Sequence, residues 1–537
     1  VGFDGSRRLF GPSPWLDGPG VVLEGQCPPA DAEALVAAWA TTVRRVAGAL
    51  GWPPPDPQTQ VRGGHCTLAF TPPPTALLTG TELNEWAWEA ALAAAGHPLP
   101  PPHFAPGDLP REATGALRAL RARAALEARA PLPEVAIAPR SDQRVALVTG
   151  SNGKTTTTRL LAAMTRAAGS DTGWSCTDGV FRNDTRLERG DWSGPGGAQR
   201  VVRDPGVTCA ILETARGGIL RRGLGIIGAQ VAVVTNVQAD HFGEYGVTTL
   251  ADLAAVKLTV TKGLARGGVL VRNAEDPSLR AFTPPHDIAS AWFGEHAATI
   301  PDTARAAWAA DGHLLVREGG MIHDFGDLRA MPLTAGGAAR YNVANLLAAA
   351  VAGTVLGVPI ATIRETCHTF GRDPADNAGR LALYRLDGME LLLDYAHNPD
   401  GLAGLLSVAR SRQPARLLLL LGQAGNRDDA ALTALAQAAW GGQPDCVILK
   451  DLEGYQRGRA VGEVANTLAA ALQAAGMRAD QLRVVLDEAE AVAAAIAWGQ
   501  PGDLLVLPVH ALDARDRVAA LLASRGAAPI PWEPQAG

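Results

Sequence analysis

Lysine is nearly missing from this chain. Only four occur among 537 residues, at 154, 257, 262 and 450, leaving 44 of the 48 basic residues as arginine. A bias that replaces lysine wherever arginine will serve spares it where a compact, deprotonatable amine is wanted, so each survivor points to chemistry a guanidinium cannot do. Apolar runs of about 18 residues or more are absent, which excludes a membrane-spanning helix. A basic excess is absent too: 48 Lys+Arg face 54 Asp+Glu for a net charge of −6, and neither nucleic acid nor membrane is an expected partner. The six cysteines, at 27, 66, 176, 209, 367 and 446, include no C-x-x-C pair. That excludes a zinc ribbon or a disulfide framework and leaves buried, reduced thiols as the expectation. The opening residues VGFDGSRRLFGPSPW lack the charged-then-apolar pattern of a signal peptide, so a cytoplasmic location is expected. With 47% hydrophobic and 19% charged residues, the chain reads as a folded protein of about three domains.

Residues 1–140 form a first region in which proline clusters (53–55, 72–74, 98–102) separate short helical stretches such as 81–95. A helical run at 110–130 leads through Pro131, Pro133 and Pro139 into the β-branched run VALVTG, where the second region begins. From 141 to 378, strand-like runs (145–149, 207–212, 230–235, 268–271) alternate with Ala/Leu-rich helical stretches, the pattern of a parallel sheet covered by helices. The pattern restarts near Gly379, with strands at 390–394, 416–421, 445–449 and 503–507 and helices at 400–411, 428–440, 461–475 and 487–498. The expected architecture is α/β: a P-loop central domain with a parallel sheet (141–378) and a smaller doubly wound α/β C-terminal domain (379–537), preceded by an α+β N-terminal domain (1–140).

The sharpest signal is Gly150-Ser-Asn152-Gly153-Lys154-Thr155-Thr156, between a strand and a helix. Glycines let backbone N–H groups curl around phosphate oxygens and the following helix presents its positive end. Lys154 can then reach the terminal phosphates, and the Thr155 hydroxyl can hold Mg²⁺. The spacing is two residues shorter than G-x-x-x-x-G-K-[ST]. A second strand ends in Glu213 and a third runs on to Asp240-His241. Carboxyl ends of parallel strands are where such sheets hold functional groups, so Glu213 and His241 join Thr155 as expected ligands of a hard cation. Lys257 follows on a helix; its amine can be carbamylated to an anion that ligates a second Mg²⁺, which arginine cannot do in practice. The third region offers Gly379-Arg380, Asp394-Tyr-Ala-His397-Asn398-Pro399, and loops at 422–428 and 450–459 after further strands.

These motifs, together with N-V-x-N at 342–345, make residues 141–537 resemble the Mur ligase family. The strings Gly190-Asp-Trp-Ser193-Gly-Pro195 and Glu213-Thr-Ala-Arg216-Gly-Gly218 resemble those of its cyanophycin synthetase branch. Residues 1–140 more faintly resemble that branch's N-terminal domain, through Arg8-Leu-Phe-Gly11-Pro12 and Thr81-Glu-Leu-Asn84-Glu85-Trp86. The resemblance implies an ATP-dependent carboxylate–amine ligase that forms an acyl phosphate and joins it to an amino acid, on a cyanophycin-like peptide. Lys154, Glu213, His241 and Lys257 would be catalytic. Gly150, Asn152, Gly153, Lys154, Thr155, Thr156, Asn345, Arg380 and Asp394 would bind ATP. Thr155, Glu213, His241 and carbamylated Lys257 would serve two Mg²⁺ ions. Ser193, Arg216, His397, Asn398, Arg427 and Lys450 are the expected substrate-facing set.

The branch carries an ATP-grasp domain between the two matching parts, where this chain has only the stretch leading to 140, so a separate ATP-grasp ligase is an implied partner. The reading leaves room for a homo-oligomer. A folylpolyglutamate-synthase-like or cell-wall-type ligase fits the 190–195 and 213–218 strings less well, and the scattered cysteines give no support to the amidotransferase-subunit branch. The alternative from another class is a catalytically idle nucleotide- and peptide-binding protein acting with a partner ligase.

Overall fold

In the computed structural model, residues 2–97, 109–130, 135–239 and 242–532 are described. Proline cluster 98–102, Pro131, Pro133, Asp240 and His241 lie outside the described residues. The chain divides into two units, one of residues 1–150, 171–270 and 281–289, the other of residues 151–170, 271–280 and 290–537.

The first unit opens with a four-stranded antiparallel sheet in the order Gly2–Leu9, Gly20–Gln26, His65–Phe70, Gln58–Arg62. Helix Ala32–Ala49 buries Leu35, Val36, Trp39, Val43 and Val46, the spacing that puts one apolar stripe on a helix. That stripe, the strand residues Leu23, Leu68 and Phe70, and Leu83 and Trp88 of helix Leu77–Ala94 share one core. The Trp39 indole N–H within it is satisfied by Asn84 Oδ1 at 2.9 Å. Strands and helices around one sheet make this region α+β.

Further along the same unit, strands Ala229–Val234, Arg144–Thr149, Cys209–Glu213 and Thr172–Cys176 lie side by side in that order, all parallel. Val145 to Val148 are all buried, as a strand covered on both faces requires.

The expected parallel sheets are extended at their margins by antiparallel strands. In the first unit the hairpin strands Gly179–Arg182 and Thr185–Arg189 continue the order antiparallel. In the second unit Arg305–Ala310 pairs parallel with Ala289–Gly294, and His313–Glu318 and Met321–Asp327 then add antiparallel. The physical reason lies in two-residue turns. Asp311-Gly312 (φ 50° and 81°) and Gly319-Gly320 (φ 58° and 85°) carry positive φ at both positions, the geometry that reverses a strand without splaying the pair.

The second unit ends in a seven-stranded sheet in the order Leu482–Val484, Cys446–Leu449, Leu417–Leu421, Leu504–Pro508, Met389–Asp394, Ala382–Leu386, Ala528–Pro529. The first five strands are parallel. Helices Pro399–Ser411, Asp429–Gly441 and Glu463–Ala474 pack on one face, and Glu488–Trp498 and Leu512–Ser524 on the other, the doubly wound arrangement. Three of these helices are capped by side chains that the sequence places directly before them: Asn398, Asp428 and Asp487 each accept a backbone N–H of the first turn.

Candidate functional site

Gly150 and Gly153 shape the phosphate-loop candidate. Gly150, at φ 151°, is so close to Thr235 that a Cβ there would lie 1.8 Å from its Oγ1. Gly153, at φ 84°, is the N-cap of helix Lys154–Ala167, and a Cβ on it would lie 2.1 Å from Asn345 Oδ1. Only glycine fits either position, and the positive end of the helix that follows faces the loop. The Lys154 ammonium folds back onto the Ser151 carbonyl at 2.8 Å, which holds a positive charge at the same helix end. Backbone of this shape at a helix N-terminus suits phosphate oxygens.

Within the second unit the loop and helix are tied to several other expected residues. Asn345 Nδ2 donates to Asn342 Oδ1 at 2.9 Å, and Asn342 Nδ2 to the Leu333 carbonyl at 2.9 Å. Asn152 and Asn398 exchange amide hydrogen bonds, at 3.3 and 2.8 Å. Arg380 Nη2 donates to Thr155 Oγ1 at 3.1 Å, and Asn377 Nδ2 to Thr156 Oγ1 at 3.4 Å. The Thr155 hydroxyl, expected at magnesium, therefore holds the guanidinium expected at a ribose. Two cations on one oxygen repel, so metal binding there requires Arg380 to turn away.

Asp394 accepts the N–H groups of Leu381 and Ala396, both at 2.7 Å. Burial raises its pKa, against the opposing pull of Arg380 and those N–H groups. Tyr395 lies between two guanidinium groups, Arg380 at 4.6 Å and Arg515 at 5.3 Å from its ring centre. His397 Nδ1 is 3.1 Å from the Tyr395 carbonyl, and the His397 carbonyl accepts from Gln423 Nε2 at 2.5 Å. Arg427 is buried, and its carbonyl accepts from Arg459 Nη2 at 2.8 Å, which ties the 422–428 loop to the 450–459 loop.

Lys450 does not face an open cleft. It is fully buried and pairs with Glu488 while donating to His510 Nδ1 at 3.1 Å. Glu488 also accepts the N–H groups of His510 and Ala511, at 3.0 and 2.8 Å, and His510 Nε2 donates to the Ala396 carbonyl at 3.1 Å. Burial alone would push the Glu488 carboxyl up, but Lys450 and His510 outweigh it and hold it well below the usual range. Burial and the neighbouring Lys450 lower the pKa of His510, against the opposing pull of Glu488. The trio fastens the ends of three parallel strands behind the 394–399 loop.

The first unit holds the remaining set. Glu213 is buried at its strand end and receives Thr177 Oγ1 at 3.1 Å and Thr177 N–H at 3.4 Å. Lys257 sits in the last turn of helix Leu250–Leu258 and is 3% exposed. Arg216 Nη1 donates to Glu244 Oε2 at 2.9 Å. Ser193 is tied by its N–H and hydroxyl to Asp191 Oδ1, at 3.0 and 2.6 Å, and its carbonyl accepts the Ala215 N–H at 2.8 Å. The strings around 193 and 216 thus form one packed loop pair. Among the described residues no three or more His, Cys, Asp or Glu side chains gather as metal ligands.

Sequence reasoning does not single out Thr177, Thr235, Asn377, Glu488 or His510. Glu488 and His510 follow strands Leu482–Val484 and Leu504–Pro508, so the strand-end rule that finds Glu213 also reaches them. The two threonines and Asn377 carry no comparable signal.

The sequence matches the Mur ligase middle domain over residues 148–353 and the Mur ligase, glutamate ligase domain over residues 379–508. It is 35% identical over 390 residues to a cyanophycin synthetase of Crocosphaera subtropica, covering 70% of this chain and 44% of that protein. It is 26% identical over 448 residues to a UDP-N-acetylmuramyl-tripeptide synthetase of a Roseiflexus species, covering 78% and 82%. The chain therefore spans less than half the length of the cyanophycin synthetase it matches. In fold it is similar to MurF from Acinetobacter baumannii, with a TM-score of 0.51 at 16% identity over 71% of this chain and 77% of that one. A pseudomurein peptide ligase type C from Methanothermus fervidus gives a TM-score of 0.50 at 17% identity, over 71% and 79%. With two successive domains matched in order, the chain belongs to the Mur ligase family.

Proposed function

We propose that this protein is an ATP-dependent amide ligase of the acid–amino-acid type. A substrate carboxylate attacks the γ-phosphorus of ATP, releasing ADP and leaving an acyl phosphate. The amine of an amino acid then displaces inorganic phosphate to form the amide. The observation that carries the reading is the glycine-shaped loop at 150–153 with Lys154 held at the helix end. The likeness to cyanophycin synthetase favours a cyanophycin-like peptide as carboxylate donor and a separate ATP-grasp ligase as partner.

In this reading the loop N–H groups, Lys154, Thr155 and Thr156 bind the phosphates, and Asn345 approaches the adenine. Arg380 and Asp394 hold the ribose. Thr155, Glu213, His241 and Lys257 serve two Mg²⁺ ions, Lys257 as its carbamate. Magnesium supplies charge neutralisation between the phosphates and the attacking carboxylate. The protein's part is alignment and exclusion of water, since positioning and electrostatics dominate phosphoryl transfer and a stray water would hydrolyse the acyl phosphate.

The test is phosphate release from ATP by the purified protein, with a panel of amino acids crossed against carboxylate-bearing peptides and mass spectrometry of the products. A product heavier by one amino acid less water, lost in Lys154→Ala, is the expected result. Tight Mg-ATP binding with no release stimulated by any pair would overturn it and favour the idle binder.

A further inference from the structure

The N-terminal sheet reaches the helix that carries Lys257. Asp252, in the first turn of helix Leu250–Leu258, is 8% exposed. Its carboxylate accepts the N–H groups of Thr248 and Thr249, at 3.1 and 3.0 Å, while its own N–H is capped by Thr249 Oγ1 at 3.2 Å. The counter-charge comes from elsewhere in the fold: Arg62, on strand Gln58–Arg62, forms an ion pair with Asp252 and donates to the Gly246 carbonyl at 3.3 Å. Two more residues of the same sheet bear on this segment. Arg7, fixed by Glu24 with Nη2 to Oε1 at 2.8 Å, stands 4.7 Å above the Tyr245 ring. His65 closes on Gly246, where a Cβ would come 2.7 Å from its Nε2.

Such a helix needs an anchor. Its nine residues are too few for a helix to be stable by itself, so its place is set by its packing and by what grips its first turn. Lys257 lies five positions beyond Asp252, roughly 7.5 Å along the axis at about 1.5 Å per residue, so a tilt at the first turn is passed on to the amine.

We propose that Arg62 is a positioning residue for the ligase reaction: through Asp252 it sets the helix bearing Lys257, which makes the N-terminal domain part of the catalytic apparatus and more than a substrate carrier. This rests on the ligase reading above. The N-terminal domain has other attachments that survive loss of Arg62. Lys262 Nζ donates to the Ser13 carbonyl at 2.9 Å, Phe10 N–H to the Arg222 carbonyl at 2.6 Å, and Leu224 N–H to the Pro12 carbonyl at 2.8 Å. An Arg62 variant therefore tests positioning with the domain still docked.

The experiment compares full-length wild type with Arg62→Ala, Arg62→Lys and Asp252→Asn. It measures substrate-stimulated phosphate release, KM for ATP, thermal melting, and amide hydrogen exchange over residues 250–258. Arg62→Ala is expected to lower kcat about tenfold or more, since small misplacements of reacting groups cost that much. KM for ATP should stay within about twofold, exchange over 250–258 should accelerate, and the melting transition should persist. Arg62→Lys, which restores the charge, should recover most of kcat. Unchanged kcat and exchange in Arg62→Ala would overturn the proposal. So would parallel losses of kcat, ATP affinity and the melting transition that lysine does not repair. If the wild type itself releases no phosphate with any substrate pair, the ligase reading fails by that result. Exchange over 250–258 then still decides whether Arg62 holds the helix.

Discussion

Replacing Lys450 by methionine isolates the buried trio in the C-terminal region. Methionine keeps the length of the side chain but removes the ammonium paired with Glu488, leaving a carboxylate 2% exposed beside His510. Breaking a buried ion pair by deleting one partner costs about 3–5 kcal/mol, because the remaining charge is uncompensated. The N–H groups of His510 and Ala511 still reach Glu488, at 3.0 and 2.8 Å, so the expected loss lies toward the lower end, about 3 kcal/mol. The assay is denaturant unfolding at neutral pH of Lys450→Met, Glu488→Gln and the double variant. Because the chain has several domains, the transition is followed at Trp440, Trp498 and Trp532, all in the C-terminal region. The double variant should be less destabilised than the two singles added together, by more than about 1 kcal/mol of coupling. The sign with pH follows from the depressed Glu488 pKa. Its stabilisation is complete above the unfolded carboxyl's pKa, near 4.3, and is lost only as pH falls through the lower folded value. A loss under about 1 kcal/mol at neutral pH, or simple additivity, would refute the reasoning.

Three further outcomes are expected. Gly153→Ala should weaken nucleotide binding at least tenfold by calorimetry, because it forces a left-handed residue to place a Cβ 2.1 Å from Asn345 Oδ1; affinity within twofold would contradict the loop assignment. Asn398→Ala removes both the Asn152 pair and the cap on Gly401 N–H at 2.9 Å, whereas Asn152→Ala removes the pair and leaves that cap in place. The first should therefore cost about 1 kcal/mol more in unfolding experiments. Asp503 is pushed up by burial but pulled further down by Arg416 and the Gln500 N–H. Its folded pKa is the lower one, so its stabilisation is present above about pH 4 and disappears as pH falls through the folded value. Asp503→Asn should melt below wild type at pH 7 and converge with it in acid.

Much of the architecture was legible because strand ends and helix starts are local signals. The strand expected at 390–394 is Met389–Asp394, that at 445–449 is Cys446–Leu449, and the helix expected at 400–411 is Pro399–Ser411, with Asn398 and Pro399 marking its start. The antiparallel margins were also written locally, in Asp311-Gly312 and Gly319-Gly320, but short strands such as Arg305–Ala310 lack a long apolar run and are easily passed over. Lys450 illustrates the other limit. A lysine after a strand looks like a ligand-facing charge, and only the fold reveals that Glu488 and His510 enclose it. Arg62 and Asp252 are likewise ordinary charged residues until distant stretches of chain meet.

The scarcity of lysine has a consequence for the protein's own integrity. In the proposed reaction, an acyl phosphate that escaped its intended acceptor would react with any primary amine nearby, and this molecule offers few. Lys257 and Lys450 are 3% and 0% exposed, Lys154 is bent onto a carbonyl, and Lys262 is engaged by Ser13 and Asp17. Guanidinium groups, which make up nearly all of its basic surface, remain protonated and do not take acyl groups at neutral pH. On the proposed reading, a molecule so built is protected against labelling itself, and the amine it is supplied with remains the best nucleophile within reach.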